Sequence, residues 1–167
     1  MNKKETCRYL TEHGVPYEIT EHPAVWNMED LAAVALPYPD RDAKNLFVRD
    51  DKRQNYYLIT LRGDRRADLK AFRRQEGLRP LSFASPEELS ALSGLTPGAV
   101  TPLGLLNDED RKVTLFLDAA LADGIVGVHP NDNTATVCLA AEDLLRLVRE
   151  HGNPAFIADI PEKEELS

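Results

Sequence analysis

"KNLFVRDDKRQNYYLITL", Lys44 to Leu61, is the stretch whose reading decides the fold of this chain. "KNLFVRD" and "YYLITL" are strand-length runs rich in aromatic and branched aliphatic residues. The five polar residues between them, "DKRQN", suit a hairpin connection. The reading is an antiparallel pair at the centre of the sheet. Its first strand opens on Lys44-Asn45, a cation and an amide where a half-buried strand has no packing use for them.

Working outward, Asn2 caps a first helix running to about His13, stopped by Gly14 and Pro16, with Cys7 and Leu10 facing inward. "YEIT" alternates as a short strand. Asn27 with Asp30 three residues on resembles a capping box opening a helix over Met28 to Ala35, which Pro37 and Pro39 end. Beyond the hairpin, a helix spans about Ala67 to Gln75, with Gly77 past its end. Ser85-Pro86-Glu87-Glu88 starts another. Gly94 to Leu106 holds three glycines and two prolines and reads as a long structured loop. "VTLFLD", "IVGV" and "TATVCLA" read as strands, the last two joined by "HPNDN". Glu142 to His151 is an amphipathic closing helix. Strands joined by hairpins and mixed with helices predict α/β or α+β architecture, a mixed and mainly antiparallel central sheet surrounded by helices. One domain over 1–160 is expected, with a frayed tail over 161–167.

Composition narrows the function. The 167 residues carry 28 acidic and 20 basic side chains, a net charge of -8, which argues against coating nucleic acid by charge alone. No apolar run approaches membrane-spanning length and the first residues lack a secretory pattern, so a cytoplasmic protein is expected. Arg62 to Arg79 departs from the average, with seven basic residues against three acidic. Arg66, Lys70, Arg73 and Arg74 are spaced to share one side of a helix. That suits phosphate contacts, and equally a solvated face.

Reactive motifs are sparse. The four histidines show no zinc-helix spacing, and there is neither a nucleophile elbow nor a phosphate-binding glycine loop. Neither a metal nor any other cofactor is expected. Cys138 falls mid-strand on the face of Thr134 and Thr136, and Cys7 on the inner face of the first helix, where each reads as a small buried hydrophobe. The unusual loops that remain are Lys44-Asn45, "PGAVTPLG" and "HPNDN".

At these residues the chain resembles the prolyl-tRNA editing (YbaK-like) superfamily, above all its free-standing alanyl-tRNA(Pro) deacylases of the ProX or PrdX type. The matching stretches are "KNLFVRD", "YYLITLRGDRRADLK", "LSFASPEEL", "PGAVTPLGLLND", "VTLFLD" and "VHPNDNTATVCLAAEDLLRLV", in order over about Lys44 to Val148. The resemblance implies a trans-editing hydrolase for Ala-tRNA(Pro). Lys44 would anchor the tRNA 3' end beside the scissile ester. Gly98 and Pro102 would belong to the G-x-x-x-P loop whose backbone shapes the pocket, and His129 would bound it. Asn45, Thr101, Pro102 and Asn131 are the implied substrate-binding residues. Arg62, Arg65, Arg66, Lys70, Arg73 and Arg74 are candidates for weak, salt-sensitive contact with the acceptor stem, and a prolyl-tRNA synthetase is a possible partner. Specificity for cysteine, serine or threonine on the same fold, or a non-catalytic module binding tRNA or a synthetase, are the alternatives.

Overall fold

The computed structural model describes residues 1–163. The hairpin forms as read: β2 (Ala43–Asp50) pairs antiparallel with β3 (Tyr56–Arg62), Phe47 opposite Leu58. Its turn is closed by the buried carboxylate of Asp50, which accepts from the Gln54 N–H at 2.9 Å and Asn55 Nδ2 at 2.8 Å. Two carboxylate oxygens thus satisfy donors that the tight connection strips from the ladder.

The hairpin lies within a five-stranded sheet. β4 (Leu81–Phe83) pairs antiparallel with β2 on one side; β5 (Val113–Asp118) runs parallel to β3 on the other, and β8 (Ala155–Ala158) parallel to β5. The remaining strands, β1 (Tyr17–Glu21), β6 (Ile125–Val128) and β7 (Ala135–Ala140), form a separate antiparallel sheet in the order β1-β7-β6. The expected single central sheet is therefore two, touching where Asp42 bridges Gly127.

Side-chain alternation along β2, β3 and β5 feeds two cores. Phe47, Leu58, Leu115 and Leu117 join the larger cluster, with Val137 and Leu139 of the small sheet. Helix α1 (Lys3–Glu12) adds Leu10 to it, α4 (Pro86–Ser93) adds Leu89, and α5 (Ala141–His151) adds Leu144, Leu147 and Val148. Val48, Ile59, Leu61 and Phe116 point the other way, under Phe72 of α3 (Leu69–Glu76).

Local signals placed most helix starts. Asn2 and Ser85 each form complete capping boxes, with Glu5 and Glu88. The inward residue beside Leu10 on α1 is Thr6 rather than Cys7, which is half-buried. Asn27 caps α2 (Met28–Ala32), which ends three residues earlier than expected. The box there is altered, since the Asp30 carboxylate takes the N–H of Trp26 at 3.0 Å instead of that of Asn27. The loop from Gly94 contains two 3-10 turns, Pro97–Ala99 and Pro102–Asn107. Of the tail read as frayed, Glu162 bridges Ala67 and the Lys163 N–H reaches the Arg66 carbonyl at 2.9 Å; residues 164–167 lie outside the described residues. Among the described residues no helix is long and apolar enough to cross a membrane.

Candidate active site

The open mouth of β2 forms the floor of the site. β4 pairs only with Val48 to Asp50, so the edge of β2 before Phe47 carries no neighbouring strand. Ladder geometry fixes which residue faces that edge. The Phe47 carbonyl accepts from Ala84 on the β4 side and Asp42 bonds Gly63 on the β3 side, so the Asn45 amide points outward to the open edge. The Asn45 side chain is locked by the Thr60 hydroxyl, which donates to its Oδ1 at 2.6 Å. Lys44 lies on the opposite face of the strand and its Nζ donates to the Arg65 carbonyl. Burial lowers its pKa, the Arg66 cation lowers it further, and Asp64 acts against both.

The walls come from three loops. A cavity of about 290 Å³ is bounded by Lys44, Asn45, Trp26, Gly98 and His129, with Val25, Leu31 and Val100 supplying apolar surface. Gly98 lies directly under Trp26: a Cβ built there would lie 2.5 Å from two indole carbons, so the ring would have to shift. The backbone leading into Trp26 is anchored, because Val25 exchanges hydrogen bonds with Asn133 through its N–H (3.2 Å) and its carbonyl (2.8 Å). The indole is nevertheless 69% exposed, forming the rim of the cavity.

His129 donates from Nδ1 to the Ala135 carbonyl at 2.8 Å, which leaves Nε2 as an acceptor in the neutral ring. Burial pushes its pKa down and the nearby His22 does the same, while the Ala135 bond and Asp132 oppose them; the neutral form is favoured. The carbonyl of His129 accepts from the Thr101 hydroxyl at 2.6 Å. That bond ties the 97–107 loop to the strand β6 that delivers the histidine.

Lys44, Asn45, Gly98 and His129 thus converge, and several other sequence candidates do not. Thr101 and Pro102 are buried behind the wall, Thr101 as the clamp on His129. Asn131, in the left-handed region at φ 62°, donates to the Met1 carbonyl and the Thr6 hydroxyl and so secures the N-terminus. The basic segment divides. Arg65 is fixed by buried Asp118 at 2.9 Å and by the Ile160 carbonyl, so its guanidinium is a structural group. Arg62 pairs with Asp64 at 2.7 Å. Arg66 lies outside α3, so the four cations do not form one helical stripe; Lys70 and Arg74 are exposed on that helix and Arg73 is half-buried. Cys138 is buried and its thiol is pushed up to about 11 by burial, with Asp42 and Glu18 adding to it. Among the described residues no group of three His, Cys, Asp or Glu side chains is arranged to hold a metal.

Sequence reasoning missed Trp26 and the apolar residues Val25, Leu31 and Val100. The one signal available was the only tryptophan of the chain standing just before a helix cap.

Comparison with known proteins places this site in a class. A family model described as the aminoacyl-tRNA editing domain matches residues 22–147, and the chain belongs to that family. It is an aminoacyl-tRNA deacylase, a hydrolase of the ester joining an amino acid to tRNA. Among its relatives, the prolyl-tRNA editing protein ProX of Acetoanaerobium sticklandii is 40% identical over 152 residues, covering 90% of this chain and 93% of that protein. The prolyl-tRNA synthetase associated domain-containing protein 1 of Mus musculus is 34% identical over 145 residues, 84% of this chain and 85% of that one. The solved structure of a candidate trans-editing enzyme for prolyl-tRNA synthetase superposes with a TM-score of 0.74 at 26% identity, over 98% of this chain and 99% of that one.

Proposed function

We propose that this protein clears alanine from mischarged tRNA(Pro), acting in trans to a prolyl-tRNA synthetase. The observation that carries the reading is the meeting of Lys44, Asn45, Gly98 and His129 on one small cavity. The names of the two relatives and of the solved structure supply the prolyl context. A synthetic site built for proline cannot reject the smaller alanine by more than the few contacts alanine fails to make, worth about 1–3 kcal/mol. A second site that is too small for proline supplies the missing discrimination. Val25, Leu31 and Val100 supply the apolar wall against which a small aminoacyl side chain would pack.

The chemistry asks little of the protein. The ester carbonyl is attacked by water, the tetrahedral intermediate carries negative charge on the former carbonyl oxygen, and the ribose hydroxyl leaves. The outward Asn45 N–H and the backbone at Gly98 supply preorganised donors for that oxygen. Neutral His129 accepts through Nε2 from the attacking water and orients it. Lys44, tethered to the Arg65 carbonyl, places a cation beside the ribose and its phosphate, the role of an anchor rather than of a base.

The test is release of labelled amino acid from Ala-, Cys-, Ser- and Pro-tRNA(Pro) by wild type and Lys44→Ala. Alanine is expected to be lost with proline spared, and the variant to be slower by at least about 100-fold, the scale of misplacing the ester in the site. Faster loss of cysteine or serine would reassign the substrate. Survival of all four esters would leave a binding module.

A further inference from the structure

The pocket has two neighbours, and they differ in charge. On the Met28 side lies a cavity of about 540 Å³ lined by Asp40, Asp42 and Asp64, whose one cation, Arg62, pairs with Asp64. On the other side the pocket shares Asn45, Pro97 and Val100 with a cavity of about 240 Å³ that runs along the open edge of β2 to Phe83. That cavity in turn shares Leu46 and Phe83 with a third, of about 610 Å³, flanked by Lys70, Arg73 and Lys163. Through these shared walls the three cavities adjoin in a row, from the Lys44 pocket past an aromatic ring to a basic cleft.

Phe83, the last residue of β4, leaves its ring 61% exposed. Among the described residues, the one carboxylate lining the cleft, Asp68, caps α3 by accepting from the Ala71 N–H at 3.0 Å. An aromatic platform followed by cations is what an unpaired polynucleotide strand needs: bases stack on the ring and phosphates meet the charges. The acidic cavity would repel the same strand.

We propose that this groove is the track for the single-stranded 3' end of the substrate tRNA. The terminal nucleoside sits at the Lys44 pocket, a preceding base stacks on Phe83, and the phosphates beyond pass over Lys70, Arg73 and Lys163. The proposal rests on the aminoacyl-tRNA reading above and adds the direction in which the tRNA leaves the site.

The experiment compares two substrates, Ala-tRNA(Pro) and 2'(3')-O-alanyladenosine, which carries the terminal nucleoside alone. Full-length Phe83→Ala, Phe83→Tyr and Lys70→Glu/Arg73→Glu are tested against Lys112→Glu, an exposed charge outside the basic segment that does not line the groove. On Ala-tRNA(Pro), Phe83→Ala and the double variant are expected to lose at least about tenfold in kcat/KM, chiefly through KM. Phe83→Tyr keeps the ring and most of the activity, and alanyladenosine is hydrolysed equally by all. The double variant also shows a shallower dependence of binding on salt, by roughly one phosphate contact per charge removed. Groove variants that match Lys112→Glu, or that lose alanyladenosine hydrolysis in parallel, overturn the track. Binding of a labelled ACCA oligonucleotide, read by anisotropy, separates the two claims. Binding lost in Phe83→Ala supports the track even if no ester is hydrolysed, and binding indifferent to Phe83 sinks it even if deacylation is confirmed.

Discussion

Asp42 and Lys44 stand two residues apart on the same segment, and both are ionisable groups drawn partly or wholly out of water, yet the fold treats them differently. Lys44 keeps an acceptor, the Arg65 carbonyl, and lines the pocket. Asp42 is buried with an Oδ1 that has no hydrogen-bond partner among the described residues, pressed against the backbone of Gly127 where a Cβ would collide with it. Burial alone drives its carboxyl pKa to about 6, with no cation to offset it. The difference separates a charge lining the proposed substrate pocket from a charge whose burial is only a cost.

The largest effect should come from breaking the Lys44 side of that comparison. Lys44→Met is expected to lose at least about 100-fold in deacylation while its urea midpoint at pH 7 stays at or above that of wild type, because the pocket desolvates the cation it removes. A midpoint well below wild type would make Lys44 a structural residue first.

Asp42→Asn breaks the other side. A carboxyl whose pKa rises from 3.8 to about 6 on folding binds its proton more tightly in the folded state. The folded state therefore loses stability as pH climbs from about 4 to 6, and the penalty is complete above that. The variant should be more stable than wild type by roughly 1–3 kcal/mol at pH 7.5, with the gap shrinking toward pH 5, in urea titrations at both values. A gap that does not change with pH would mean that Asp42 stays neutral or finds a partner.

The smallest effect concerns Cys138, a neighbour of Asp42 in the same buried region. Its thiol is held protonated, so Cys138→Ala should leave deacylation within about twofold of wild type and cost about 1 kcal/mol of stability from the lost sulfur volume. Loss of activity would point to a thiolate nucleophile and away from hydrolysis by positioned water.

What the sequence by itself determined is what chemistry within a few residues controls. The β2–β3 hairpin, the caps at Asn2 and Ser85, and the helix over Ala141–His151 were legible because turn composition, capping side chains and apolar period act over three or four positions. Motif resemblance singled out Lys44, Asn45, Gly98 and His129 as candidates from stretches of recognisable order, and the fold brings these four to one cavity. Only the tertiary structure decided the rest. Arg65 and Lys70 look alike in a basic run, but Asp118, 53 residues away, claims one of them and no local signal could say which. The small sheet splits from the large one, Trp26 lies over Gly98, and β8 joins the edge of β5, all through contacts between segments distant along the chain. The groove past Phe83 exists for the same reason: β4 stops short along β2, and an unpaired edge is a property of two strands together.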